Sequence, residues 1–142
     1  KLEAEVGAEM VPAELLARDF GTLRACGLSQ QKQGYARSLC ELVQTGAVDF
    51  ATLPADDEEA IALLTRIKGI GRWSAEIYLL FAEGRPDIWP AGDLAVQAGI
   101  ARIMGLAERP AEKAARALAE TWRPHRGALA LFTWHCYNNP AL

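Results

Sequence analysis

A two-glycine turn between two apolar segments constrains the fold of this chain more than any other feature. The turn Gly69-Ile70-Gly71 follows apolar residues at helical spacing within 56–67 and precedes a second apolar segment, 73–81. Glycines allow backbone angles that other residues resist, and they remove side chains from the turn. The sequence therefore predicts a helix, a tight turn and a second helix over residues 56–84.

Helical spacing dominates the rest of the chain as well. Alanine and leucine are abundant, and no run alternates at period two for long enough to predict a strand. Caps, prolines and glycines predict further helices over residues 12–20, 29–44, 93–105, 110–121 and from 124 onward. We therefore expect an all-α fold without a sheet, as a single domain over residues 1–142.

The charge distribution leaves the binding partner open. The net charge of −3 argues weakly against nucleic acid. Residues 1–92 carry nine Lys/Arg and fourteen Asp/Glu, a balance of −5, whereas residues 93–142 carry six and four, a balance of +2. DNA responds to the local field at its contact face, so the total excludes little. No apolar run approaches the ~20 residues that span a bilayer, and we expect no membrane partner.

The three cysteines, Cys26, Cys40 and Cys136, lie far apart in the sequence. Their odd number and wide spacing disfavour a disulfide framework and a clustered metal site. They also cannot supply the four closely spaced thiolates of an iron–sulfur cluster. We expect them to be small buried hydrophobic side chains in a reducing cytosol.

The two-glycine turn alone is weak evidence of function. An ordinary hairpin of two helices explains it equally well. Alternatively, the amides of residues 69–73 form an anion site at the start of a helix, where Lys68 and Arg72 add positive charge. The residues by themselves leave both interpretations open.

Asp93 and two tryptophans also have ordinary structural explanations. Asp93 precedes an apolar helical segment, and its spacing favours a helix N-cap. Trp73 and Trp134 are typical of core packing. Spacing alone therefore does not make any of the three a functional residue.

Longer segments resemble a known family. Residues 64–75 resemble the hairpin of the helix-hairpin-helix (HhH-GPD) DNA glycosylases, and residues 84–94 resemble the Gly/Pro-rich loop and aspartate that follow it. Segments 27–32, 122–126 and 128–134 are similar to the alkylation-repair branch, the 3-methyladenine DNA glycosylase II type. The resemblance implies a multi-helix glycosylase domain with the hairpin at 56–84, and the loop, Asp93 and its helix at 84–104.

The chain departs from the family pattern in several places. Relatives usually carry an earlier helical segment with a Gln-Gln motif, so we expect Lys1 to lie inside the native protein. Lys68 stands where many relatives have proline. Ile77 and Leu94 stand where many have tyrosine and another aromatic residue, which predicts a less aromatic pocket with a different selectivity.

The resemblance also implies a mechanism. It makes Asp93 the carboxylate that stabilises positive charge on the sugar, and Trp73 and Trp134 the walls of a pocket for a cationic base. Trp73 stands where the bifunctional relatives place their Schiff-base lysine, and tryptophan forms no imine. The resemblance therefore predicts a monofunctional glycosylase that releases flipped 3-methyladenine and 7-methylguanine type bases, with water as nucleophile.

The binding residues and partners follow from the same resemblance. The residues expected to contact DNA are Lys68, Gly69, Ile70, Gly71, Arg72 and Trp73. Backbone carbonyls of Thr65, Ile67 and Ile70 are expected to bind a monovalent cation, and no other cofactor is required. We expect a monomer that acts on damaged double-stranded DNA in the cytoplasm, at the nucleoid in a bacterium.

Three alternatives stay open at this point. A non-catalytic hairpin domain that only holds DNA explains Gly69 and Gly71 but leaves Asp93 without a role. A glycosylase of the same superfamily for oxidised or mismatched bases would share the fold. An unrelated helical bundle that binds protein would show no affinity for DNA.

Overall fold

The computed structural model describes residues 1–139, and all regular secondary structure within that range is helical. The helices are α1 (Leu2–Val6), α2 (Pro12–Ala17), α3 (Phe20–Ala25), α4 (Gln30–Gln44), α5 (Asp57–Leu64), α6 (Arg72–Phe81), α7 (Leu94–Ile103), α8 (Glu112–Leu118), a 3-10 helix (Ala119–Trp122) and α9 (Arg126–Asn138). Residues 1–139 contain no strand, and none of their helices is long and apolar enough to cross a membrane. The predicted all-α fold is confirmed.

The N-terminal helices differ from the prediction. Helix α1 was not expected, and the prediction of one helix over residues 12–20 is wrong. Helix α2 ends at Ala17 because Asp19 caps a new helix, with its Oδ1 accepting a hydrogen bond from the amide of Thr22 at 2.8 Å. A side chain that satisfies a free helical amide starts a helix where the apolar pattern alone runs on.

Two later boundaries also shift. The helix expected from residue 110 begins at Glu112, and its last turn tightens into the 3-10 helix Ala119–Trp122. The helix expected from Pro124 begins at Arg126. Ser29 is the N-cap of the helix predicted from that residue, and Asp56 is the N-cap of the first helix of the predicted hairpin; each accepts a hydrogen bond from the first turn of its helix.

Residues 1–70 form one compact unit in which α4 packs against α2 and α3. Its core contains Val6, Leu15, Leu23 and Cys40, all at most 7% exposed. Gln33 is buried, and its amide group donates to the carbonyl of Phe20, the first residue of α3, and to that of Leu28 in the segment after α3, at 3.1 Å each. Because a buried amide is costly without partners, these two bonds fix α3 on α4.

Residues from Gly71 onward form a second compact unit, built on the packing of α7 against α9. Gly99 makes the close approach possible, because a Cβ atom there would lie 2.4 Å from the carbonyl oxygen of Thr133. This contact places the middle of α7 and the middle of α9 in a fixed relation. The prediction of a single domain over residues 1–142 stays a prediction.

The loop between α6 and α7 is fixed to α9. The amide of Gly127 donates to the carbonyl of Pro86 at 2.8 Å, and a Cβ atom on Gly127 would lie 2.7 Å from that oxygen. The carboxylate of Asp87 accepts two hydrogen bonds from the guanidinium of Arg126, both at 2.8 Å. The loop therefore delivers Asp93 to a defined position.

The cysteine prediction holds for two of the three residues. Cys40 and Cys136 are buried free thiols. Cys26 is only half-buried, because it lies at the C-cap of α3 rather than on the face that meets α4.

Candidate active site

Asp93 is the N-cap of α7, as its spacing predicted. Its Oδ1 accepts hydrogen bonds from the amides of Ala95 at 2.8 Å and Val96 at 3.0 Å. Its own amide donates to the carbonyl of Pro90 at 2.9 Å. Asp93 is therefore held through both its backbone amide and its carboxylate, and only Oδ2 takes no part in the cap.

Both predicted tryptophans contact this carboxylate. The indole nitrogen of Trp73, on α6, donates to Oδ2 of Asp93 at 2.8 Å, and that of Trp134, on α9, donates to Oδ1 at 3.2 Å. Three residues that the sequence separates by 20 and 41 positions thus meet at one point. Their assignment to catalysis and base binding stays a prediction.

The electrostatics of Asp93 favour its ionised form. Burial raises the pKa of the carboxyl, but hydrogen bonds from Val96, Trp73, Trp134 and Ala95 outweigh it and hold the pKa below its usual value. All four donors are neutral N–H groups, so they stabilise the carboxylate without cancelling its charge. A negatively charged group is therefore present at this point at neutral pH.

An open cavity of about 410 Å³ lies in front of this carboxylate. Its lining residues are Trp73, Gly92, Asp93, Leu94, Ala95 and Tyr137. Trp73 is 49% exposed, which is unusual for tryptophan in a core and leaves much of its ring available to a ligand. The cavity is large enough for a single nucleobase and part of its sugar.

Two aromatic residues at the site were not predicted. Tyr137 lines the cavity one turn after Trp134 on α9, so spacing of three residues on a helix could have identified it. Phe81 stacks on the ring of Trp134, with centroids 5.8 Å apart and planes inclined by 26°. Phe81 ends α6, and no sequence signal links it to Trp134.

The two glycines of the turn have different structural reasons. Gly69 has a φ of 91°, and a Cβ atom there would lie 2.7 Å from the ring of Tyr35. Gly71 has a φ of −90°, and a Cβ atom there would meet nothing within 4 Å. The open approach expected at both glycines therefore exists at Gly71, whereas a side chain already covers Gly69.

The two basic residues that flank the turn also differ. Lys68 is exposed, and its backbone amide donates to the hydroxyl of Ser38 at 3.0 Å. The Nε of Arg72 donates to the buried carboxylate of Glu76 at 2.9 Å. The guanidinium of Arg116 reaches the same oxygen at 3.4 Å, so Arg72 is part of a fixed ion-pair cluster.

The three carbonyls expected to bind a cation lie in the turn after α5. Thr65 is the C-cap of that helix, where carbonyl oxygens carry partial negative charge. The carbonyl of Ile67 accepts the amide of Ile70 at 3.0 Å and keeps a second lone pair. The binding of a monovalent cation by these oxygens stays a prediction. Residues 1–139 contain no group of three or more His, Cys, Asp or Glu placed to hold a metal.

An all-helical chain in which a two-glycine turn precedes a capped, ionised aspartate held by two indoles has the features of a base-excision DNA repair protein. Residues 1–124 match the model of the HhH-GPD superfamily base excision DNA repair proteins, and the chain belongs to this family. The resemblance drawn from the hairpin and loop segments is confirmed.

Similar proteins carry a consistent name. The chain is 34% identical over 125 residues to DNA-3-methyladenine glycosylase 1 of Schizosaccharomyces pombe, which covers 87% of this chain and 55% of that protein. It is 29% identical over 124 residues to DNA-3-methyladenine glycosylase 2 of Escherichia coli, covering 87% and 41%. The chain thus spans about half the length of the curated relatives it matches.

Two solved structures share the fold. A crystal structure of DNA-3-methyladenine glycosidase from Bacillus halodurans superposes with a TM-score of 0.89 at 34% identity, covering 99% of this chain and 65% of that one. The 3-methyladenine DNA glycosylase of S. pombe in complex with abasic DNA superposes with a TM-score of 0.75 at 33% identity, covering 90% and 63%.

Proposed function

We propose that this chain is the helical domain of a monofunctional DNA glycosylase that hydrolyses the N-glycosidic bond of flipped, alkylated bases in duplex DNA. The observation that carries the proposal is the Asp93 carboxylate, which four neutral N–H donors hold ionised at the wall of a cavity. The relatives named DNA-3-methyladenine glycosylase support the choice of reaction.

The carboxylate suits the charge that develops in this reaction. The base leaves its duplex stack and enters the cavity. The bond from C1′ to the base nitrogen breaks with its electron pair on the base, and positive charge spreads over the sugar ring. Asp93 stabilises that charge, water adds to C1′, and the water loses one proton. A 3-methyladenine base begins as a cation and departs neutral, so the step requires no strong general acid.

In this proposal, the aromatic faces of Trp73 and Trp134 select alkylated bases. The exposed ring of Trp73 lines the cavity, and an indole face attracts a cationic base by roughly 0.5–2 kcal/mol per contact. Trp134 is assigned to the same pocket, and its indole nitrogen also holds the carboxylate. Undamaged purines lack the positive charge, so they bind less well and leave less readily.

The proposal includes the DNA contacts. The turn from Lys68 to Trp73 holds the sugar-phosphate backbone, with Gly71 as the open point of approach. A monovalent cation on the carbonyls of Thr65, Ile67 and Ile70 would add positive charge beneath a phosphate. We propose no other cofactor, and a monomer that acts on damaged duplex DNA in the cytoplasm, at the nucleoid in a bacterium.

Absence of an imine-forming residue supports the monofunctional assignment. Trp73 contacts the carboxylate from α6, and the sequence of α6 contains no lysine. Borohydride trapping with abasic or methylated DNA should therefore give no covalent adduct. A trapped adduct would contradict this part of the proposal alone.

The experiment that tests the function measures free base released from duplex DNA treated with a methylating agent. Wild type should release 3-methyladenine and 7-methylguanine, and Asp93→Asn should release far less while binding undamaged duplex normally. A folded wild type that binds DNA but releases no base would refute the enzyme and leave a binding domain. Release of oxidised or mismatched bases instead of methylated bases would identify a glycosylase of the same family with a different substrate.

A further inference from the structure

A second cavity lies in the first compact unit, on the surface of α4. It has a volume of about 420 Å³, and its lining residues are Gln30, Gln31, Gly34, Tyr35 and Lys68. None of these five lining residues is acidic. Two amide groups, a phenol and an ammonium group offer hydrogen-bond donors to a ligand that carries acceptors. This cavity is called the α4 cleft below.

The α4 cleft is held rigidly. The backbone amide of Lys68 donates to the hydroxyl of Ser38 on α4, 30 residues away, at 3.0 Å. The ring of Tyr35 covers Gly69 so closely that a Cβ atom there would lie 2.7 Å from it. Gln31 Nε2 donates to the Tyr35 hydroxyl at 2.6 Å, which directs the hydroxyl proton away from Gln31. These contacts fix the backbone of Lys68 and the ring of Tyr35, so the walls of the cleft are preorganised for a ligand.

Gly34 keeps the α4 cleft open. It lies inside α4, where glycine weakens a helix relative to alanine. Close packing does not require it, because the nearest atom to a Cβ atom would be Lys68 Nζ at an ordinary 3.8 Å. A longer side chain at this position would fill the space beside the ammonium group. We therefore attribute Gly34 to the space that a ligand requires in the cleft.

The charge around the α4 cleft favours an anion. The chain carries a net charge of −3, yet residues 29–40 contain no acidic residue, and Lys32 follows Gln30 and Gln31 in the first turn of α4. Arg37 takes no part, since its guanidinium donates to the carbonyl of Leu16. Lys68, which follows α5 in the chain, adds a further cation to the lining of the cleft. Local charge of this sign attracts phosphate groups against the sign of the whole chain.

We propose that the α4 cleft binds a phosphodiester group of DNA, with Lys68 Nζ and the side-chain amides of Gln30 and Gln31 as donors. Lys68 belongs to the turn already assigned to DNA, but its side chain contacts this phosphate, whereas the amides at Gly71 contact another. The proposal rests on the proposed function only in taking DNA as the partner. It does not depend on Asp93 or on base release.

The test compares affinities for an undamaged, fluorescently labelled duplex by anisotropy. Gly34→Leu should weaken binding about fivefold at low salt, because the leucine side chain displaces the phosphate. The slope of log affinity against log salt should fall by about 0.9, as expected for one lost phosphate contact. Gly34→Ala should have a smaller effect, since its methyl group meets Lys68 at an ordinary distance.

Gln44→Leu is the matched control, because it adds the same side chain to an exposed position of α4 outside the cleft. It should leave affinity and salt slope unchanged. Lys68→Met should reproduce the lower slope, and the double variant with Gly34→Leu should lose little more than either single variant. Equal affinity of Gly34→Leu and wild type, with both folded by circular dichroism, would overturn the proposal.

Two further outcomes separate the sources of phosphate and the two proposals. If inorganic phosphate broadens amide NMR signals of the cleft while duplex DNA does not, the cleft binds free anions and the proposal fails. If wild type releases no base but Gly34→Leu still weakens duplex binding, the enzyme proposal fails and the α4 cleft stands. If wild type releases base but Gly34→Leu binds duplex as tightly as wild type, the enzyme proposal stands and the α4 cleft proposal fails.

Discussion

Two aspartates six residues apart on one loop are held in opposite ways. Asp87 binds charged groups: the guanidinium of Arg126 contacts both of its oxygens at 2.8 Å, and Arg123 contacts Oδ2 at 2.7 Å. Asp93 binds four neutral N–H groups, two from the backbone and two from indoles. The loop therefore carries one neutralised carboxylate and one that keeps its charge.

The pKa of each carboxyl lies below its usual value, and the causes explain the difference. Burial raises the pKa of Asp87, and hydrogen bonds and charge from Arg126 and Arg123 outweigh it. Burial also raises the pKa of Asp93, and hydrogen bonds alone outweigh it. Only the second arrangement leaves a net negative charge at the cavity, where a sugar cation can use it. The first is typical of a structural clamp.

The largest expected effect separates the two residues by activity. Asp93→Asn should lower the single-turnover rate of base release by at least about a hundredfold, because the charge facing the sugar is lost. Its thermal stability should change little, since asparagine is also a good N-cap. The rate is measured on methylated duplex with excess protein, and the stability by thermal denaturation.

A rate for Asp93→Asn within a few-fold of wild type would remove the carboxylate from the mechanism. A large loss of stability would instead show that its structural role dominates. Asp93→Ala serves as a reference, because it loses the cap as well as the charge and should cost about 1 kcal/mol of stability.

The second prediction concerns Asp87, where substitution should lower stability rather than activity. Asp87→Asn should lower the free energy of unfolding by about 3 kcal/mol, because the buried guanidinium of Arg126 loses the carboxylate that contacts it twice and keeps only its pair with the exposed Glu120. Base release per folded molecule should stay far closer to wild type than in Asp93→Asn. Chemical denaturation measures the first quantity, and active-site titration corrects the second for unfolded protein.

Arg123→Gln is the control for this clamp. Arg123 is 52% exposed, whereas Arg126 is 8% exposed, so loss of the Arg123 pair should cost at most about 1 kcal/mol. A loss for Arg123→Gln as large as that for Asp87→Asn would show that burial does not decide the strength of this cluster.

The sequence predicted Asp93 better than it predicted its surroundings. A cap position and a family pattern both indicate Asp93, and Trp73 and Trp134 follow from the same pattern. The hydrogen bond from Trp73 to the carboxylate could not be predicted, because it joins α6 to the start of α7 across 20 residues. The bond from Trp134 could not be predicted either, because it depends on the packing of α7 against α9. That packing in turn depends on Gly99 meeting Thr133, a contact between residues 34 positions apart.

The helix starts that could be predicted are those with a clear local signal in the sequence. Ser29 and Asp93 were recognised at the starts of their helices because each precedes a clear apolar segment. Asp19 was missed because apolar residues continue on both sides of it, although its side chain divides two helices. Helix α1 has only five residues, too few for an apolar period to stand out.

The third effect concerns the donors that hold Asp93. Trp73→Phe removes the indole N–H that donates to Oδ2, so the pKa of Asp93 should rise. A carboxylate with a lowered pKa stays ionised until the pH falls below its usual value of about 3.9. Base release by wild type should therefore decline only below that pH, and the decline in Trp73→Phe should begin at higher pH.

Trp134→Phe is the paired variant, because its N–H donates to Oδ1 at the longer distance of 3.2 Å. Its decline should begin at a lower pH than that of Trp73→Phe. Identical pH profiles for wild type and both variants would show that the indole bonds do not control the ionisation of Asp93.

The smallest effect comes from a third carboxylate, Glu76, which also contacts two arginines but differs from Asp87. Burial raises the pKa of Glu76 above its usual value, and the attraction of Arg116 and Arg72 does not compensate. A raised pKa in the folded state means that the contribution of this group to stability is complete below the unfolded value of about 4.3. It is lost as the pH rises through the folded value.

Glu76→Gln should therefore change stability at pH 7 by no more than about 1 kcal/mol, since it removes a costly buried charge along with two ion pairs. Arg72 and Arg116 are 38% and 31% exposed, so water can solvate both guanidinium groups in the variant. Unfolding curves at pH 4 and pH 7 measure the change, and the variant should lose stability less than wild type between them. A loss at pH 7 as large as that of Asp87→Asn would mean that the charge of Glu76 stabilises the fold, and that two arginines around a carboxylate act alike at both positions.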